Sequence, residues 1–320
     1  MIRKPDMDPP EENYQVNTKE KRQVRHYKLI TPLYGGGVNP NESDPVTTVR
    51  GTEVRGHLRF WWRATQLGQF STFEDLRNAE NFLWGSSEVP SKIQVFIHDV
   101  SFGEKEYAYE VKSIRNKKPK PVPSSKIAPY AAFPLQPDKD HLSDVNWKSA
   151  QVLLDVKFAL EIKYPKEHKK EVEDSLWAWE TFGGVGARTR RGFGAIKSKG
   201  HEEIECNNFK DWLIDGLNAH VCEVEKKILG VPYLSREPEN YAFISTNTQP
   251  IPCWKKVIGY LQDFRQDKAR FEKKYGLSLW PEANAIRNIF GRPPKFPDDD
   301  KKHQLVNKFP RAKLGLPINF

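Results

Sequence analysis

The stretch Gly183-Gly184-Val185-Gly186-Ala187-Arg188-Thr189-Arg190-Arg191-Gly192-Phe193-Gly194 decides how this chain is read. Its glycines permit positive φ angles and close backbone approach to a ligand. Its arginines carry permanent charge and forked donors suited to phosphate. With Lys197 and Lys199, residues 183–199 hold five positive charges and no acid. A P-loop is excluded, because no Gly-Lys-Ser/Thr follows at the required spacing. A dinucleotide-binding turn is excluded too, because the stretch follows a helix rather than a strand. What remains is a backbone-and-arginine cradle for a nucleic-acid strand. The plain alternative is a glycine hairpin with solvated arginines.

Working outward, Lys166 to Phe182 reads as a helix with Val172, Leu176 and Trp179 as its apolar stripe, stopped by Gly183-Gly184. Before it, Ala150 to Ile162 is the strongest strand, and the doublet Leu153-Leu154 marks a central strand buried on both faces. A first strand spans Val24 to Thr31, and Pro32 with Gly35, Gly36 and Gly37 opens a loop to about Thr48. A helix starts near Thr52, with Val54, Leu58, Trp61 and Thr65 at core spacing. Arg55, Arg59 and Arg63 form one basic stripe on its flank with no acid between them, which suits an anion. Trp62 is open to either core packing or base stacking. Phe73 to Trp84 reads as a short helix, Lys92 to Val100 as a strand, and Phe102 to Val111 as the strand paired with it.

That order fits a ferredoxin-like βαββαβ unit and an α+β fold class. The segment Ile114–Trp147 is a basic, Pro-rich insertion, expected to be extended and without regular structure. Beyond it, Ile204 to Leu229 reads as a linking helix and Tyr241 to Thr246 as a strand. Cys253 to Tyr275 reads as a helix with Val257, Leu261 and Phe264 on one face, and Pro281 to Phe290 as another. The expected organisation is a polar tail over 1–23, a first domain over 24–203, and a second unit over 204–320 that begins like the first.

Lys and Arg outnumber Asp and Glu by 51 to 42, a net charge of +9, so polyanions are plausible partners. Cys206, Cys222 and Cys253 are too scattered for a disulfide framework or a zinc site. No apolar run approaches the ~18 residues of a membrane span, and the start of the chain lacks the apolar stretch of a secretory signal. A cytoplasmic protein without cofactor or metal is expected; Asp298-Asp299-Asp300 reads as a solvated charge run.

Three segments carry a resemblance. They are Thr31-Pro32-Leu33-Tyr34-Gly35-Gly36, Arg50-Gly51-Thr52-Glu53-Val54-Arg55-Gly56-His57-Leu58-Arg59-Phe60-Trp61-Trp62-Arg63, and the glycine–arginine stretch. Together they resemble the RAMP-superfamily first subunit of the type III-B (Cmr) CRISPR effector complex, over about residues 25–320. The Leu58–Arg63 core is quite specific to that subunit, whereas Gly192-Phe193-Gly194 marks the wider superfamily. The resemblance implies two ferredoxin-like (RRM/RAMP) domains. It implies a head-end position beside another RAMP subunit and the large polymerase-like subunit, near the 3′ region of the guide RNA and the paired target RNA, with no nuclease role. The RNA-binding residues expected on this reading are Arg50, Arg55, Arg59, Trp62, Arg63, Arg188, Thr189, Arg190, Arg191 and Lys197, with the two arginine sets lining one groove. Thr47-Thr48-Val49 departs from the family's usual Pro-Ser-Ser-like approach to the first helix. Leu314 to Phe320 resembles the opening strand of a second sheet that family members continue, so a truncated or split polypeptide is expected, completed by a separate chain. Two other readings stay open: a metal-independent, guide-RNA-processing endoribonuclease using His57 or His26, and a generic single-strand RNA-binding module.

Overall fold

A computed structural model describes residues 19–36, 42–44, 46–112, 120–136, 149–199, 208–241 and 249–266, with 289 and 291. In chain order its elements are β1 (Glu20–Leu29), β2 (Leu33–Tyr34), α1 (Gly51–Gln66), α2 (Phe73–Trp84), β3 (Gln94–Ser101), β4 (Glu104–Tyr107) and β5 (Tyr109–Lys112). There follow β6 (Lys120–Pro123), β7 (Gln151–Leu154), β8 (Lys157–Pro165), α3 (Lys169–Phe182), β9 (Ile196–Ser198), α4 (Phe209–His220) and α5 (Pro250–Gln266).

The main sheet runs β3-β8-β1-β9, and every neighbouring pair in it is antiparallel. Numbered along the chain as first to fourth, these strands lie in the order second-third-first-fourth, with α1 and α3 as the two crossover helices. That is the arrangement of a ferredoxin-like βαββαβ unit. Strand β1 alternates: Arg22, Val24, His26 and Lys28 are exposed, while Tyr27 and Leu29 are buried beneath the helices. One face of the sheet is therefore covered and the other open. The central position of β8 explains its run of buried residues from Phe158 to Ile162. The core beneath the helices holds Tyr27, Leu58, Trp62, Trp84, Phe158, Leu160, Val172, Leu176 and Trp179.

Several expectations are corrected. The strand read over Ala150–Ile162 is two, broken at Asp155, whose φ is 56°. Its first half, β7, pairs with β2 and β4 in a separate sheet. Phe102–Val111 likewise divides: β4 pairs with β7 and β5 with β6, and neither pairs with β3. The Pro-rich insertion is partly regular. Pro121 and Pro123 sit in β6, which among the described residues has a single strand neighbour, so the amide that proline lacks is not needed on the other side. After β6, Ile127, Ala128, Ala131, Ala132 and Leu135 are buried with Phe193 and the α5 residues Trp254 and Ile258 in a second core.

The expected polar tail ends early, because β1 begins at Glu20. Among the described residues the expected linking helix is α4, which stops at His220. The chain extends at Val221 (φ −116°, ψ 128°), and Cys222 and Leu234 donate backbone bonds of 2.8 Å and 2.9 Å to the Thr65 and Ala64 carbonyls at the end of α1. Helix α5 starts at Pro250, earlier than expected, and buries Trp254 and Ile258 while Val257 and Phe264 are exposed. The expected strand Tyr241–Thr246 beyond Tyr241, the rest of the helix to Tyr275, most of Pro281–Phe290, the 291–312 loop after Gly291, and Leu314–Phe320 lie outside the described residues.

Candidate nucleic-acid interface

The glycine–arginine stretch leaves α3 and folds back over the chain between β1 and β2. Gly194 N–H donates to the Pro32 carbonyl (2.8 Å), Ala187 N–H to Tyr34 (2.7 Å) and Val185 N–H to Gly194 (2.9 Å). At Gly194, φ is 62° and an added Cβ would lie 1.8 Å from the Val185 carbonyl oxygen. A Cβ at any of Gly183, Gly184, Gly186, Gly192 or Gly194 would meet a protein atom at 2.7 Å or less. The close approach that these glycines permit is therefore to the protein's own chain, not to a ligand as the sequence suggested. The result is a tightly knit platform.

Phe193 anchors that platform. It is fully buried and meets Trp254 edge-on, with ring centroids 4.9 Å apart. Trp254 Nε1–H donates to the Arg191 carbonyl at 2.7 Å. Between these anchors the turn at Thr189–Arg191 is flanked by two left-handed residues, Arg188 (φ 64°) and Gly192 (φ 75°). Thr189 is half-buried, and its carbonyl accepts the Gly192 N–H (2.8 Å). Arg188 Nε–H donates to the Ala131 carbonyl at 2.8 Å, tying the turn to the insertion. Arg190 is exposed and Arg191 half-buried.

A fourth arginine joins them. Arg265 of α5 is 6 % exposed. Burial, and then the charges of Arg265, Arg188 and Arg190, push the Arg191 guanidinium below its ordinary pKa, with Tyr130 opposing. Burial lowers Arg188 as well, opposed by Tyr34. Four guanidinium groups from two distant segments thus crowd one partly desolvated place. The sequence did carry a signal for Arg265: Trp254, Ile258, Leu261 and Arg265 fall at i, i+4, i+7 and i+11, which puts a charge on the core-facing stripe of α5.

The α1 arginines are placed elsewhere. Arg59 Nε and Arg63 Nη1 both bond Glu80 of α2, at 2.8 Å and 2.5 Å, and Glu80 is buried. Arg55 donates to the Trp84 carbonyl at the end of α2, and burial and then Arg59 lower its pKa. On the opposite side of α1, Glu53 accepts the Gly186 N–H of the glycine–arginine loop. Glu53 and Arg55 are about 200° apart around the helix. The stripe and the loop therefore face different ways, and the single groove expected from sequence is not formed. Acids absent from the stripe itself are supplied by α2.

Trp62 and Trp61 exchange their expected places. Trp62 is 1 % exposed and its Nε1–H donates to Glu171 of α3 at 2.8 Å, so its faces are closed to a base. Trp61 is only partly buried, stacked on Phe182 at 5.9 Å. Core spacing through Val54 and Leu58 continues equally well to either tryptophan, and α3 selects Trp62. Arg50, just before α1, is exposed but engaged, with bonds to the Gly36 carbonyl (2.7 Å) and Asp44 (2.5 Å). Lys197 is exposed on β9, opposite Lys28 of β1. His57 lies 3.5 Å from the Glu53 carboxylate, while His26 is on the open face of the main sheet.

Among the described residues no helix is long and apolar enough to cross a membrane, and no three His, Cys, Asp or Glu side chains gather as a metal site.

The family model of the RAMP superfamily matches residues 26–197. No curated protein matches the chain. The crystal structure of Cmr1 from Pyrococcus furiosus (apo form) is similar at 19 % identity and a TM-score of 0.48, over 88 % of this chain and 80 % of that one. A chain of the type III-B Cmr-beta complex bound to cognate target RNA, seen by cryo-EM, is similar at 15 % identity and a TM-score of 0.48, over 86 % and 79 %.

Proposed function

The chain belongs to the RAMP superfamily, and on that premise we propose that it is a non-catalytic, RNA-binding subunit of a type III-B (Cmr) CRISPR effector complex. Its place is at the head end, against the 3′ region of the guide RNA and the target paired with it. Its partners are other RAMP subunits and the large polymerase-like subunit, and residues 204–320 form a second ferredoxin-like domain. The observation that carries the RNA-binding reading is the convergence of Arg188, Arg190, Arg191 and Arg265 on a turn locked by Gly194 and Phe193. The Leu58–Arg63 signature supports the choice of complex.

The role assigned to the cluster is to hold backbone phosphates while base pairing between guide and target supplies sequence choice, as in other RNA-guided systems. The test is target-RNA capture by the assembled complex carrying Arg188→Ala, Arg190→Ala and Arg191→Ala together. Lost capture with assembly intact supports the reading; unchanged capture removes the loop from the RNA path.

A guide-processing endoribonuclease is the second reading, favoured by one observation: the His57–Glu53 pair abuts the loop at Gly186. Glu53 is already engaged by a backbone N–H and His57 is mostly covered, with 28 % of its side chain exposed, so we assign the pair to positioning. Cleavage of precursor guide RNA by the isolated chain, abolished by His57→Ala, would establish the nuclease instead.

A further inference from the structure

The open face of the main sheet is a surface that the reading above does not use. The registers of the three strand pairs place Arg22, Val24, His26 and Lys28 of β1 on it. They add Lys157, Ala159, Glu161 and Lys163 of β8, Gln94, Phe96 and His98 of β3, and Lys197 of β9. Apolar and aromatic groups are left in solvent there: Phe96 is 45 % exposed and Val24 43 %. Lys163 Nζ stands 5.3 Å from the Phe96 ring centroid.

At the centre lies Glu161, its side chain 7 % exposed. It receives both Nε and Nη2 of Arg22 at 2.7 Å each, with Lys163 at 3.5 Å and His98 at 3.7 Å. The carboxylate therefore holds a guanidinium across the strands, beside Val24 and Phe96. Counting outward-facing charge, Arg22, Lys28, Lys157, Lys163 and Lys197 stand against Glu161 in the middle and Glu20, Asp99 and Asp155 at the margins, with Lys28 paired to Asp155 at 2.7 Å. The cations lie at the two ends of the face, Arg22 and Lys163 at one and Lys28, Lys157 and Lys197 at the other, with the Val24–Glu161–Phe96 row between them.

We infer that this face is a second nucleic-acid site, which takes two or three unpaired nucleotides of RNA lying across the strands. Phe96 and His26 supply ring faces for bases, and Arg22, Lys157 and Lys163 meet the phosphates. An exposed sheet with aromatic rings and cations is the platform on which other four-stranded folds stack two or three bases. The dimensions agree: three gaps between four strands span about 14 Å. Strand β9 follows directly after Gly194, so the strand leaving the arginine turn passes Lys197 onto the sheet. The occupant is RNA rather than a protein partner because Val24 and Phe96 stand singly, separated by Glu161 and flanked by Arg22 and Lys163, instead of merging into one apolar patch.

The experiment is fluorescence anisotropy with a labelled 15-nucleotide oligouridine, on the full chain carrying Phe96→Ala and His26→Ala, alone and combined with the triple loop variant. Phe96 and His26 are exposed, and circular dichroism melting checks that both variants fold. About tenfold weaker binding is expected from the sheet variant, with a further loss in the combination. Weakening by the loop variant and none by the sheet variant overturns this inference and leaves the proposed function standing. Weakening by the sheet variant alone supports the inference and removes the loop from the RNA path. Unchanged RNA binding with lost assembly into the effector overturns the inference and makes the face a protein-docking surface.

Discussion

Two arginine triads of this molecule look alike in the sequence and differ in the fold. Arg55, Arg59 and Arg63 run along one flank of α1; Arg188, Arg190 and Arg191 occupy a turn. The first set is answered from within, by Glu80 and the Trp84 carbonyl of α2. The second set meets a further cation, Arg265. The two triads therefore differ in the side chain that a distant segment brings beside them, a carboxylate for the first and a guanidinium for the second. Replacing all three loop arginines by alanine tests this contrast most severely. RNA affinity should fall at least 100-fold near 0.1 M salt. The slope of log affinity against log salt should flatten by about 2, at roughly 0.7 for each single-strand phosphate that no longer meets an arginine. The same triple change on α1 should alter RNA affinity far less and stability far more.

The platform under the loop can be broken without touching an arginine. Gly194→Ala forces a Cβ against the Val185 carbonyl in a left-handed backbone. The expected loss is about 3 kcal/mol of stability, read by urea unfolding, with RNA binding weakened because the turn shifts. If affinity held while stability fell, the arginines would not need the platform. Glu80→Gln addresses the other triad. It leaves two partly buried guanidinium groups without their counter-charge, at an expected cost of about 2 kcal/mol, below the fully buried case because Arg59 and Arg63 keep some solvent. RNA affinity should be unchanged. A gain in affinity would mean that the stripe, once released, can also reach RNA.

How much of this was legible beforehand follows from range along the chain. The βαββαβ order could be read because hydrophobic period and glycine stops are local, and the residues from Val172 to Trp179 and from Phe158 to Ile162 behave as their pattern indicates. The break at Asp155 was hidden, because a single residue with positive φ in an apolar run leaves no compositional trace. The split of Phe102–Val111 between two sheets was hidden for a related reason: strand partners are chosen by register across the fold, not by pattern. At the candidate site, the loop arginines were visible as a charge run. The place of Trp62 is not legible from the sequence, because two adjacent aromatics on one helix compete for the core and the choice belongs to Glu171 and the rest of α3. Glu80 and Arg265 lie far along the chain from the arginines that they oppose or join, so only the tertiary structure could show the sign of each encounter.

The smallest expected effect concerns a third carboxylate–cation assembly, on the open sheet face. Glu161 holds Arg22 as Glu80 holds Arg59 and Arg63, but Arg22 keeps 63 % of its side chain in solvent. Arg22, chiefly through its hydrogen bonds, and then Lys163 bring the Glu161 carboxyl down to about 2, against a desolvation that acts the other way. A carboxyl whose folded pKa lies below its unfolded value of ~4.5 contributes stability that is fully present above that value. The contribution is lost as pH falls through the folded one. The difference in stability between the native chain and Glu161→Gln should therefore be constant from neutrality to about pH 5 and shrink between about 4.5 and 2. Solvent around Arg22 limits it to under ~1 kcal/mol. Urea unfolding at stepped pH measures it. A difference that persisted unchanged to pH 2 would mean that Glu161 acts by packing rather than by charge. Arg22 would then not be held by charge, and the parallel between this assembly and the Glu80 pair of the α1 stripe would end.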